Sequence, residues 1–257
     1  ADSLFRGLVE NLPLEEWLGR VWIAEKAILT PETTYLGSVL GLAENLLSGS
    51  TTVMDMFWYP DETVRAAKDL GMRISTGGIF FDLPGIGGRS HENYVLEAQN
   101  FYKSHSSDDS VIPAILPHGS YTVSPQNLSE AKSIADQYGI LFCTHAAETQ
   151  AEQNDIKTRY DNSVIRHLDK YKLLGETSVL AHCVHLDETE ISLLAQSKTN
   201  VVLNPMSNLK LGSGIAPVKE MYRAGINLTI GTDGAISGND LDMWLAMRLT
   251  CGLAKGL

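Results

Sequence analysis

Apolar, β-branched runs recur along this chain, and five of them stop on polar residues. VIPAILPH stops on His118, LFCTHAAE on His145 and Glu148, and SVLAHCVH on His182 and His185. VVLNPMSN then stops on Asn204 and Asn208, and NLTIGTDG on Asp233. Helical-looking segments separate the runs, as when parallel strands alternate with crossover helices. Strands are expected at 51–56, 73–80, 111–118, 140–145, 178–182, 201–204 and 227–232. Helices are expected at 14–27, 31–47, 61–70, 91–104, 129–138, 151–174, 187–197, 218–224 and 241–253.

Within this pattern, Leu36, Val39, Leu40, Ala43 and Leu47 form one stripe of an amphipathic helix, and Asp61 is a candidate N-cap. Residues 82–90 (DLPGIGGRS) and 204–218 (NPMSNLKLGSGIAPV) read as loops. Seven strands fall one short of a closed (β/α)8 barrel, and because the chain opens in a helix the first strand is the one expected to be absent. The expectation is therefore an α/β, TIM-like barrel core lacking strand 1, a single domain over 1–257 and a fragment of a longer protein. In such folds the loops after the strands' C-terminal ends build the site. Three imidazoles, a glutamate and an aspartate meeting there point to a hydrolytic metal site.

Composition narrows the partners. The 257 residues are 44% hydrophobic and 20% charged, ordinary for a globular domain. The formal charge of −11 and the absence of a Lys/Arg cluster argue against nucleic acid. No apolar stretch approaches the roughly 20 residues that span a bilayer. Three cysteines without a CxxC pair fit a reducing, cytoplasmic compartment.

Each candidate residue has a functional and a plain reading. In H-x-x-E, His145 can bind a metal and Glu148 can relay protons, or the two can be a strand-end histidine and a solvated glutamate. His182 and His185 lie three apart, so on a strand they face opposite sides; His182 is taken into the site and His185 as an outer partner. Asp233 in G-T-D-G is either a metal ligand receiving a water proton or a helix cap. His118 either donates a hydrogen bond to substrate or caps a loop. Arg89 either grips an anion with its planar fork or is solvated. The GIGG stretch lacks the spacing of a phosphate loop.

Taken in order, LFRGLVENLPLEEWL, TTVMDM, PHGSYTVSP, THAAET, LAHCVHL, NPMSNLKLGSGIAPV and GTDGA resemble the amidohydrolase superfamily. The resemblance is to the branch of S-adenosylhomocysteine/5′-methylthioadenosine deaminases and triazine hydrolases. It implies a barrel hydrolase with one divalent metal, zinc or iron, acting on a small molecule and often assembled as a homo-oligomer. By that resemblance His145 is a metal ligand, Glu148 the proton shuttle, and Asp233 both ligand and base. His182 orients the hydrolytic water and counts among the metal-site groups, His118 lies at the substrate, Arg89 matches a carboxylate-holding position, and Glu25 lies near a ribose contact. The chain has no H-x-H pair, which in this family supplies two further ligands, so its own residues offer two or three. A triazine hydrolase, or a metal-free non-catalytic fragment, are the alternative expectations.

Overall fold

Among the described residues, seven short strands lie side by side in the order of the sequence, all parallel. The computed structural model describes residues 1–82 and 88–256, so part of the expected 82–90 loop lies outside the described residues. The strands are β1 (Thr52–Met54), β2 (Arg73–Phe80), β3 (Val111–Pro117), β4 (Leu141–Ala146), β5 (Ser178–His182), β6 (Asn200–Leu203) and β7 (Leu228–Ile230). Helices α1 (Leu14–Ile28) and α2 (Pro31–Leu47) precede the sheet. Between strands run α3 (Pro60–Asp69), α4 (His91–His105), α5 (Pro125–Tyr138), α6 (Gln150–Tyr160), α7 (Val164–Lys170), α8 (Glu188–Gln196), α9 (Pro205–Lys210) and α10 (Val218–Arg223). After β7 come α11 (Ala235–Gly238) and α12 (Met243–Gly256). This is a (β/α) barrel one strand short. Among the described residues its edge strands β1 and β7 do not pair with each other, and both line one cavity of about 830 Å³.

The main core lies between the sheet and its helices, where Leu116, Phe142 and Leu180 of the strands meet Leu128, Ile165 and Leu168, all fully buried. A second cluster, around Val64, Met72, Ile74 and Phe101, seats α2 and α3 on β2. No described helix is long and apolar enough to cross a membrane.

Several boundaries differ from expectation for local reasons. The 151–174 segment is two helices, broken where Asp161 takes a left-handed conformation (φ 51°). The 204–218 loop contains α9, which Pro205 starts with its fixed φ. Helix α5 begins at Pro125, four residues earlier than expected, because Ser124 caps it. Asp61 is not a cap: Pro60 starts α3 after left-handed Tyr59, and Asp61 instead meets His105 at 2.8 Å. The apolar stripe of α2 faces outward, with Leu36, Leu40 and Leu47 exposed at 53%, 52% and 91%. Its buried face carries Thr34, Gly37, Ser38, Gly41, Leu42 and Asn45, packed between the N-terminal segment and α3: a Cβ on Gly37 would come within 2.3 Å of the Ala1 carbonyl oxygen, and Ser38 Oγ lies 3.2 Å from Thr63 Oγ1.

Close approach also explains Gly78 in β2, where a Cβ would lie 2.3 Å from the Ala98 Cβ of α4. Gly78→Ala is expected to destabilise the fold by about 1–3 kcal/mol through overpacking, with partial relief in the Gly78→Ala/Ala98→Gly double variant. Urea midpoints of the three proteins check this; equal midpoints would contradict the packing.

Candidate active site

Strand ends place the polar groups. His118 follows β3, His145 lies in the last turn of β4, Glu148 follows it, His182 ends β5, and Asp233 follows β7. All five line one cavity of about 140 Å³, together with Glu25, Trp22, Trp58, Phe81 and Tyr121. The sequence pattern thus brings together six of its seven proposed site residues.

The imidazoles are held from behind. His145 donates its Nδ1–H to the His118 carbonyl oxygen at 2.6 Å, which leaves Nε2 with a lone pair. His182 donates Nδ1–H to Asn208 Oδ1 at 2.8 Å and presents Nε2 toward Glu148 Oε2, 3.6 Å away. The two rings stand 5.4 Å apart. His118 Nδ1 meets Thr122 Oγ1 at 2.9 Å, and Thr122 in turn donates to Gly119. His118 therefore bonds its own loop and faces the cavity as well. His185 turns away and bonds the Ser213 carbonyl at 2.8 Å, as an outer residue should.

Burial sets the protonation states. It pushes the Glu148 carboxyl up to about 7, against the pull of His145. It also holds His118, His145 and His182 below the ordinary imidazole value, so all three are neutral near pH 7. Burial would raise Asp233 too, but the facing His182 and His145 and the Gly234 N–H (2.7 Å) outweigh it and hold that carboxyl below its usual value. Glu25, 5% exposed, is pushed up to about 7 by burial although Trp58 donates to its Oε2 at 3.0 Å.

Backbone strain concentrates here. His182, Cys183, Ala147 and Asp233 have φ of 76°, 48°, 52° and 61°. Non-glycine residues enter this region at a cost of about 1–3 kcal/mol each when the surroundings enforce it, and such residues cluster at functional sites.

Arg89 stands apart. Its Nε donates to Glu97 Oε1 at 2.8 Å and its guanidinium lies 5.2 Å over the Tyr59 ring; it is not among the described residues that line the cavity. The aromatic walls were missed in the sequence. Trp58 and Phe81 stack at 5.1 Å, and Phe81 lies 4.6 Å from His118. They too follow strands β1 and β2, so the strand-end rule applied to aromatic residues would have found them.

The donors fit a divalent cation in kind: two imidazole nitrogens with lone pairs and an ionised carboxylate share one cavity, each imidazole hydrogen-bonded on its far nitrogen as metal-ligating histidines are. Among the described residues no group of three or more such donors closes to metal-holding distance.

The fold and the cavity define an incomplete parallel α/β barrel with a histidine–carboxylate pocket at its C-terminal strand ends. The chain belongs to the amidohydrolase family, whose model matches residues 1–257. It is 38% identical over 250 residues, 97% of its length, to a 5-methylthioadenosine/S-adenosylhomocysteine deaminase of Aquifex aeolicus. An adenosine deaminase from Xanthomonas campestris, solved with bound zinc, superposes with a TM-score of 0.96 at 34% identity over 99% of this chain. A triazine hydrolase from Arthrobacter aurescens shares the fold, with a TM-score of 0.88 at 23% identity over 94% of this chain. The chain spans 58% of the length of the first two and 59% of the third.

Glu25 gives a pH test. Its ordinary carboxyl value is 4.5 and its folded value about 7, so between them the folded state holds a proton that the unfolded state has lost. Stability from this group is complete below the lower value and is lost as pH rises through the upper one. The thermal midpoint should fall by roughly 4–8 °C from about pH 5 to about pH 8, and by less in Glu25→Gln. Parallel pH profiles with the same slope would refute the assignment.

Proposed function

We propose that the intact protein hydrolytically deaminates an adenosine-type nucleoside. The observation that carries the reading is the pairing, in one aromatic-walled cavity, of a glutamate pushed up to about 7 with an aspartate held below its usual value, both beside two neutral imidazoles. Opposed carboxyl values of this kind mark an acid and a base.

The reaction converts the amino-substituted ring and water into the oxo ring and ammonia. His145 and Asp233, with His182 beside them, would hold a divalent cation, for which zinc is the choice since the adenosine deaminase neighbour was solved with it. When bound, the cation supplies a water acidic enough to attack near neutral pH. Asp233, already ionised, takes the proton of that water and passes it to the departing amine, which leaves as ammonia as the ring carbon–nitrogen bond breaks. Glu148, close to half protonated at pH 7, gives its proton to the ring nitrogen next to the amine-bearing carbon. His182, its ring fixed by Asn208 and its Nε2 facing Glu148, lies beside the water and orients it. Trp22 and Phe81 flank the planar ring, and Glu25 takes the ribose hydroxyls. The Aquifex relative's name supports a 5′-substituted adenosine over free adenine.

Glu148→Gln should lower kcat for ammonia release from 5′-methylthioadenosine by about 10²–10⁴-fold, with KM within a few-fold, since it removes proton transfer and little binding. About one divalent ion per chain is expected by elemental analysis of the intact protein. Absence of turnover with any purine nucleoside would overturn the substrate reading, and metal-free active protein would overturn the metal.

A further inference from the structure

Glu152 is passed over by every reading of the motifs, yet it is as buried as Glu148, at 4% against 3% exposure. It is the third residue of α6, and Thr149-x-x-Glu152 has the spacing of a capping box. In such a box the N-cap side chain takes the N–H of the third residue, whose own side chain returns to the N-cap N–H. Helix α8 makes that box with Asp187 and Glu190: Glu190 N donates to Asp187 Oδ1 at 2.9 Å and Asp187 N to Glu190 Oε2 at 2.8 Å.

Helix α6 makes only half of it. Thr149 Oγ1 accepts from Glu152 N at 3.0 Å, but the returning carboxyl overshoots by one residue. Glu152 Oε2 accepts the backbone N–H of Glu148 at 2.8 Å, and Oε1 accepts from Ser120 Oγ at 3.2 Å. Ser120 lies two residues beyond His118, in the loop after β3. One buried side chain therefore ties the loop carrying His118 to the main chain of Glu148. Away from solvent, a lost partner leaves a donor unsatisfied, at a cost that makes the tie hard to break.

We propose that Glu152 is a positioning residue for Glu148: its carboxyl clamps the Glu148 backbone against the β3 loop and so fixes where the Glu148 side chain enters the cavity. The kinetic half of the test rests on the proposed proton transfer by Glu148; the structural half does not.

Three variants of the intact protein separate the outcomes. Gln is isosteric: its oxygen accepts the Glu148 N–H and its amide donates to Ser120 Oγ. Glu152→Gln should keep kcat for 5′-methylthioadenosine within about threefold, while Glu152→Ala should lower it about 30-fold with KM within about twofold. Residue-resolved hydrogen exchange should show the Glu148 amide slow in the wild type and in Glu152→Gln, and at least about tenfold faster in Glu152→Ala, with the core strands unchanged. If Glu152→Ala does not fold, Ser120→Ala removes one of the two anchors and should give the same pair of changes at about three- to tenfold. A Glu148 amide equally protected in both Ala variants overturns the clamp, as does a Gln variant as impaired as the Ala variant. A wild type that deaminates no purine nucleoside, with the amide behaving as stated, overturns the proposed function and leaves the clamp standing.

Discussion

One carbonyl oxygen organises this site. His118 O accepts the backbone N–H of His145 at 3.1 Å and the ring Nδ1–H of the same residue at 2.6 Å. A carbonyl has two lone pairs, and here both serve one neighbour. The backbone bond carries the pairing of β3 and β4 outward to the rim, beyond the two register pairs Ala114↔Leu141 and Ile115↔Phe142. The ring bond selects the tautomer and fixes the plane of the imidazole. Without the first, the main-chain pairing of β3 and β4 would stop short of the rim where the chemistry lies. Without the second, the cavity-facing nitrogen would be free to carry the proton and lose its lone pair.

Electrostatics follow from that packing. Glu148 and Asp233 are both taken out of water, which by itself raises any carboxyl. Asp233 faces His182 and His145 and accepts the Gly234 N–H, and these hold its carboxyl below the usual value in spite of burial. Glu148 is drawn down by His145 and by the Ser213 hydroxyl at 3.3 Å, but desolvation wins and the charge of Asp233 adds to it. The two carboxyls are therefore driven apart by the same cavity, and the ionised one helps keep the other protonated. The role of each is a property of the neighbours, since the residue types are chemically close.

The strand-end rule made much of this legible. Apolar runs marked all seven strands, and of the polar residues that ended them His118, His145, Glu148, His182 and Asp233 converge on the cavity, whereas His185, Asn204 and Asn208 do not line it. The rule worked because in a parallel sheet every strand delivers its C-terminal end to the same rim. It failed where the determinant is not periodic. The α2 stripe looked like a core face, but the buried face is the one covered by the N-terminal segment at Gly37 and by α3 at Ser38, contacts that no helical period encodes. Arg89, singled out for its planar fork and for the position it matches by resemblance, is held by Glu97 and Tyr59 outside the described lining of the cavity. Trp58 and Phe81 stood at strand ends as plainly as the histidines, but large rings read as core until a cavity is seen between them.

The least legible feature is the backbone itself. Nothing in LAHCVH says that His182 and Cys183 take positive φ, since no glycine or asparagine marks the turn. The conformation persists because the surroundings impose it: Cys183 N donates to Ala146 O at 3.0 Å and the Val184 and His185 N–H groups both reach Ala147 O at 2.9 Å, so the chain is held to β4 as it leaves β5. Asn208 then holds the ring of His182 from behind. Relaxing φ to the ordinary β or α region would swing the imidazole off that partner and strand a buried polar group. The strain at this turn is thus balanced by a local network that arises only in the folded sheet, and what it secures is the direction in which one nitrogen points.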